Sequence, residues 1–238
     1  MNQSLWFREI CRKNALSVDE GRLARCEELV RLLLEWNKKI NLIARTDEEN
    51  IWSRHLLGSV SLLFHFSLPG DASIIDVGTG GGFPGLPLAI LLPEAKFTLI
   101  DSVRKKIGVV EDLISKLGLS NAQARWARAE EVASTDEYRG KFDYVIARAV
   151  APTRDLIKWT RPFLALGHGA PFPEEPTRTG PYAIPRGSMI FLKGGELGRE
   201  IDESIVKTKP RSIRAYSLIV DGADPSDATD KKVVLVQP

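Results

Sequence analysis

Ser73-Ile74-Ile75-Asp76-Val77-Gly78-Thr79-Gly80-Gly81-Gly82-Phe83-Pro84-Gly85 is a short β-branched apolar run that ends in an acid and then in a glycine-dense turn. Leu86-Pro87-Leu88-Ala89-Ile90-Leu91-Leu92 follows and stops before Pro93, as a buried helix would. Strand, tight turn and helix in that order open a nucleotide-binding βαβ unit. Glycines suit the turn because it needs positive φ and because a ligand must approach bare backbone. Proline in the first helical turn costs nothing, since those amides have no intrahelical partner.

The next strand supports this reading. Lys96-Phe97-Thr98-Leu99-Ile100 alternates and terminates at Asp101, about twenty residues beyond the glycines. A carboxylate at that spacing accepts hydrogen bonds from both hydroxyls of a ribose. The order Asp76, glycine turn, Asp101 is compatible with two ligands, a dinucleotide or S-adenosylmethionine. Gly80-x-Gly82-x-x-Gly85 satisfies the dinucleotide spacing, so an NAD-dependent oxidoreductase stays open on this motif. Against it, no evident set of proton donors accompanies the glycines.

The chain has 238 residues, enough for one large α/β domain plus an appendage. Its composition, 43% hydrophobic and 27% charged, is that of an ordinary soluble globule. A formal net charge of +2 means that any surface for a polyanion has to be local. Cys11 and Cys26 form no CxxC pair, and His55, His65 and His168 are scattered, so no metal site is expected. No apolar run reaches the length of a membrane span, and the basic N-terminus is unlike a secretory signal. The expectation is a cytoplasmic chain with reduced thiols.

Residues 1–70 read as a helical segment. Ser17-Val18-Asp19-Glu20 has the form of a capping box, followed by Leu23, Cys26, Val30, Leu33 and Ile40 at helical spacing. A second box, Thr46-Asp47-Glu48-Glu49, leads into Ile51, His55, Leu56, Val60, Leu63 and Phe66. These helices alone make too thin a core, so they are expected to pack on the sheet domain, residues 71–238. Between them, Asn37 and Asn41 share a helix face if the helix continues, or cap its end if it stops. On a shared face, beside Trp36 and two lysines, they could hold RNA or the substrate base. His55, next to Arg54 at the edge of an apolar face, reads on its own as a satisfied structural histidine.

Beyond Asp101, Ser102 can cap a helix carrying Val103, Ile107, Val110, Ile114 and Leu117. Arg104, Lys105 and Lys106 crowd its first turn, the wrong end for cations on dipole grounds. That is either a solvated patch or the mark of an anionic partner. Strands are expected at 122–128 and 141–149. Arg148 stands at the carboxyl end of the latter, where open α/β sheets bind ligands, and can grip a carboxylate or a phosphate. A helix over 152–166, a proline-rich loop over 168–187, a strand at 188–193 and a helix over 196–207 follow. Strands at 212–220 and 232–236, antiparallel to each other, close the chain.

Taken together, these strings resemble the GidB/RsmG methyltransferases. The resemblance rests on Asp76-Val-Gly-Thr-Gly-x-Gly-Phe-Pro-Gly, Leu-Ile-Asp-Ser at 99–102, Ala-Arg-Ala at 147–149 and Lys193-Gly194. In the helical segment it rests on Trp36-Asn37-x-x-x-Asn41-Leu42 and Arg54-His55-Leu56-Leu57. It implies a class I, Rossmann-like α/β sheet with helices on both faces, using S-adenosylmethionine to methylate guanine N7 in the 530 loop of 16S rRNA. Carried over position by position, it sets the donor against Asp76, Gly78, Gly80 and Phe83, its ribose at Asp101 and Ser102, and its adenine at Ala129 and Glu130. Arg148 would stand between donor and substrate, with Asn37, Asn41, Arg54 and His55 on the RNA side. The implied partner is the 30S subunit or its rRNA, the implied state a monomer with no membrane contact. The chain departs from the pattern at Gly58, where the family usually has an aspartate. It departs also in the proline-rich segment, which looks inserted, and after Gly195, where the match is loose. Guanine N7 carries no proton, so this chemistry asks for orientation and no general base. A ribosome-assembly factor that only grips RNA is the non-enzymatic alternative.

Overall fold

The computed structural model describes residues 2–148, 150–165, 171–174, 180–223 and 231–238. Three elements precede the sheet: α1 (Gln3–Lys13), α2 (Glu20–Asn37) and a helical run that begins as a π-helical turn at Trp52–Leu57. That run passes through α3 (Gly58–Val60) into the 3-10 turn Ser61–Phe64, and then into the short strand β1 (Phe66–Ser67). β2 (Ser73–Val77), α4 (Gly85–Leu91), β3 (Lys96–Asp101), α5 (Arg104–Lys116) and β4 (Ala122–Trp126) then wind outward in one direction. After α6 (Ala129–Val132) the chain returns to the other side of β2 with β5 (Tyr144–Arg148) and α7 (Thr153–Thr160). β6 (Tyr182–Ala183), β7 (Ser188–Gly194), α8 (Gly198–Thr208), β8 (Ser212–Ser217) and β9 (Lys231–Gln237) complete it.

The main sheet has the order β4-β3-β2-β5-β7-β9-β8, parallel throughout except for β9, which runs against both β7 and β8. The winding direction reverses between β2 and β5, so a ligand crevice opens at their carboxyl ends. Each central strand feeds two cores, because side chains alternate with a period of two. Ile74, Tyr144, Ile146, Val233 and Leu235 face the core shared with α2, α4 and α5. Ile75, Val77, Val145, Val234 and Val236 face the core shared with α6 and α7. Helices therefore cover both faces, which the buried, nearly all-apolar β5 requires.

The N-terminal helices lie on that first face. Phe7, Leu29 and Leu33 are fully buried in the same cluster as Leu88 and Leu113, and Trp36 Nε1 donates to Asp112 Oδ2 of α5 at 2.7 Å.

Several local expectations are corrected. Asp19, not Ser17, caps α2, accepting from Arg22 N at 2.8 Å. Thr46 caps nothing; Arg45–Asp47 is a 3-10 turn, and the helical run starts only after Asn50, whose carbonyl accepts from Arg54 N. Ser102 does not cap α5 either, because Asp101 Oδ1 takes the Val103 amide at 2.8 Å.

The helix expected to reach Leu166 ends at Thr160 and tightens into a 3-10 turn at Arg161–Phe163, where Pro162 removes a donor. The described parts of the proline-rich stretch are anchored: β6 pairs in parallel with β1, and Tyr144 Oη donates to the Ile184 carbonyl at 2.7 Å. Residues 166–170 and 175–179 of that stretch lie outside the described residues.

Candidate functional site

Asp76, the penultimate residue of β2, has no exposure to solvent. Its Oδ2 accepts from Thr79 Oγ1 at 2.7 Å and from Gly85 N at 3.0 Å, which ties the two ends of the glycine turn together. Its Oδ1 is buried without a hydrogen-bond partner among the described residues. Burial pushes this carboxyl up to about 7, against the pull of Thr79, Gly85 and the Arg148 cation. Gly85 is required here: a Cβ would come within 2.7 Å of Asp76 Oδ2 and 2.8 Å of Leu99 Cδ2. Gly78 is required for a second reason, since its φ is +70° and a Cβ would meet Val150 Cγ2 at 2.6 Å.

The turn is pulled onto the end of β3. Gly78 N and Thr79 N both donate to the Ile100 carbonyl, at 2.9 and 3.0 Å. Asp101 Oδ2 accepts from Gly80 N at 2.9 Å, while its Oδ1 holds Val103 N at 2.8 Å. Each carboxylate oxygen retains acceptor capacity beyond its backbone bond. Above it lies a cleft of about 230 Å³ whose lining includes Gly78, Asp101, Ser102, Ala129 and Glu130. Five of the residues expected at the donor therefore meet in one crevice. Asp76 and Gly80 stand behind it as the frame of the turn.

These groups fit a nucleoside. Asp101, which lines the cleft, offers acceptors to a vicinal diol. The bare Gly78 backbone lets a ligand approach closely.

Arg148, at the end of β5, is the hinge of the arrangement. Its guanidinium stacks over the Phe83 ring at 5.2 Å, and Nη2 lies 2.9 Å from His55 Nδ1. Burial lowers it to about 10, with Asp76 and Asp47 acting in the opposite sense, so it remains a cation near neutrality. His55 rests on Phe83 at 5.1 Å, and its Nε2 is 3.3 Å from Asp47 Oδ2. The partners assign the tautomer. Nδ1 accepts from Arg148, so Nε2 carries the proton and donates to Asp47.

This has a measurable consequence. Burial first, and the Arg148 charge second, depress His55 from 6.5 to about 4. Above pH 6.5 both folded and unfolded chains hold it neutral; as the pH falls from 6.5 towards 4, only the unfolded chain takes up the proton, so stability is lost in that window. Between pH 7 and pH 5 the wild type is expected to lose about 2 kcal/mol more than His55→Gln. Urea denaturation midpoints at the two pH values check this, and equal losses in both proteins would refute it.

On the outer side of Arg148 lies a second pocket of about 410 Å³, lined among others by Asp47, Arg54, Arg148, Lys193, Lys231 and Lys232. Gly58 also borders it, and the Cβ it lacks would lie 3.5 Å from Lys231 Nζ and 3.9 Å from Arg148 Nη1. The residue absent at that position would thus have faced two cations. Lys193 is held by the Ala151 carbonyl at 2.9 Å and Glu200 Oε1 at 2.7 Å, and Lys231 by the Ser53 carbonyl at 2.9 Å.

The RNA-side expectations divide. Arg54 and His55 do border this pocket, with Arg54 Nη1 on Asp47 Oδ1 at 2.6 Å. Asn37 faces inward: only 5% exposed, its Oδ1 accepts from Leu42 N and Ile43 N at 2.8 and 3.0 Å. α2 ends there, so the asparagine closes the helix instead of presenting a polar face. Asn41 is exposed and lies outside the pocket lining.

Sequence reasoning missed Asp47, Thr79, Lys231 and Lys232. Thr79 sat inside the quoted turn, and its hydroxyl could have been matched to Asp76 three residues earlier. The lysines, on a closing strand, carried no local signal at all.

A family model described as "rRNA small subunit methyltransferase G" matches residues 22–170. The "Ribosomal RNA small subunit methyltransferase G" of Bacteroides fragilis is 42% identical over 172 residues, covering 72% of this chain and 74% of that protein. Its namesake from Exiguobacterium sibiricum is 34% identical over 209 residues, covering 88% and 79%. Among solved structures, an S-adenosylmethionine-dependent methyltransferase from Aquifex aeolicus superposes with a TM-score of 0.54 at 14% identity, covering 81% of this chain and 94% of that one. That likeness shows the fold. The matched stretch holds most of α2, the glycine turn, Asp101 and Arg148 alike, and the chain belongs to the rRNA small subunit methyltransferase G family.

Proposed function

We propose that this chain transfers the methyl group of S-adenosylmethionine to N7 of a guanine in the 530 loop of 16S rRNA. The observation that carries the reading is the pairing of two sites at the carboxyl edge of one sheet. A cleft lined by Asp101, Ser102, Ala129 and Glu130 lies at the ends of β2 and β3, and a cation-lined pocket lies beyond Arg148 at the end of β5. Val77 is in register with Ala147, the residue before Arg148, so the two sites are neighbours.

When bound, S-adenosylmethionine supplies a methyl group on a sulfonium, ready for displacement. Asp101 would hold the ribose hydroxyls, while Ala129 and Glu130 would border the base. Guanine N7 has a lone pair and no proton, so the protein orients and does not deprotonate. Orientation of two bound reactants is worth about 7–11 kcal/mol of barrier. Arg148, locked between Phe83 and His55, would fix the angle between the two partners, and Arg54, Lys193, Lys231 and Lys232 would meet phosphates. In this reading residues 1–70 contribute the RNA side through Arg54 and His55, residues 71–238 contribute the donor side, and the chain acts as a monomer in the cytoplasm. Among the described residues no helix is long and apolar enough to cross a membrane.

The test uses tritiated S-adenosylmethionine with deproteinised 16S rRNA and with intact 30S particles, followed by mass spectrometry of the 530 loop. N7-methylguanine in either substrate supports the reading. RNA binding without transfer would leave an assembly factor in its place, and calorimetric binding of NAD(H) but not S-adenosylmethionine would point to an oxidoreductase.

A further inference from the structure

Trp126 ends the edge strand β4 with 58% of its surface exposed, which is unusual for the largest side chain in the set. It is not loose. Nε1 donates to the Ser102 carbonyl at 3.0 Å, and the Arg104 guanidinium lies 5.3 Å from the ring centroid. The ring is thus held at its Nε1 edge and overlain on one face by Arg104, while more than half of the residue's surface stays open to solvent. Lys105 and Lys106 follow Arg104 in the first turn of α5, and Arg128, two residues beyond the ring in sequence, lines the donor cleft. Among the described residues none of the three α5 cations makes an ion pair, and Arg128 reaches only Glu131, at 3.9 Å. These charges do nothing for the helix, whose N-terminal dipole they oppose.

We infer that Trp126 and the cations beside it form a stacking platform for an unpaired nucleotide of RNA, outside the donor cleft. An open aromatic face takes any base by stacking, and flanking cations take the phosphates on either side of it. A protein partner would have to bury unpaired arginine and lysine to reach the ring, at a large desolvation cost. The platform lies three strands from β5, about 14 Å across the sheet from Arg148. One RNA molecule can therefore engage both. The inference rests on the reading above that RNA is the substrate, and gives it a second point of grip remote from the reacting base.

The experiment measures binding of a fluorescein-labelled single-stranded oligoribonucleotide, and of deproteinised 16S rRNA, by anisotropy and filter retention. Trp126→Ala is expected to weaken binding about tenfold, and Trp126→Phe, which keeps a ring but not the Nε1 donor, to weaken it much less. A merely structural ring, held through Ser102, would make both variants behave alike and would weaken S-adenosylmethionine binding as well. Arg104→Ala with Lys105→Ala is expected to lower the salt slope by about 1 to 2.

If wild type binds and methylates RNA while Trp126→Ala binds it within twofold of wild type, the platform is wrong and the functional reading stands. If wild type neither binds nor methylates RNA, both fall together. Should Trp126→Ala fail to fold, the Phe variant and the salt slope of the double variant decide.

Discussion

Arg148→Ala is expected to lower single-turnover methyl transfer to small-subunit rRNA by about 10²- to 10³-fold, with the protein still folded. The guanidinium is held by two unlike contacts, the Phe83 face and His55 Nδ1, and Asp76 acts on its charge. Such a group loses little freedom when a ligand arrives, so removing it costs orientation more than affinity. Folding survives because Asp76, already pushed up towards neutrality by burial, can take a proton once its cation is gone. The remaining cost is the unpaired His55 nitrogen, about 1–3 kcal/mol. Arg148→Lys is expected to be nearly as slow, since an ammonium cannot both stack flat and bond sideways. Transfer at the wild-type rate by the alanine variant would remove Arg148 from the mechanism.

Asp101→Ala carries the second large effect, on affinity for the methyl donor. Two hydrogen bonds from ribose hydroxyls to a carboxylate are worth about 1.5–3 kcal/mol each, so calorimetry is expected to show at least a hundredfold loss. The loss should be equal for S-adenosylmethionine and its demethylated product, because the sugar is common to both. Asp101→Asn is no rescue. Both carboxylate oxygens already accept backbone amides, from Gly80 and Val103, so an asparagine must set its NH₂ against one of them. If the alanine variant bound the donor like wild type, the cleft would not be its seat.

Much of this fold was readable in the chain itself. The apolar run before Asp76, the glycine turn and the alternation up to Asp101 specify a βαβ unit through local periodicity and backbone sterics, and those are properties of neighbours in sequence. Arg148 was found the same way, as the polar end of an apolar strand. The helix caps were misread because several oxygens compete for the same few amides, and the winner depends on angles that spacing does not encode. Asn37 shows the limit best: two asparagines four apart could share a face or close a helix, and only the path of Leu42 and Ile43 made the first of them a buried brace.

Local pattern thus settled the strand–turn–helix unit, its acids and its class, since φ, periodicity and turn chemistry act over a few residues. Tertiary structure alone decided that His55, Asp47 and Lys231 converge on Arg148, and that Trp126 stands open beside Arg104. Contacts across 93 positions, such as Arg148 to His55, follow from how two cores stack on one sheet, and no short-range signal carries that.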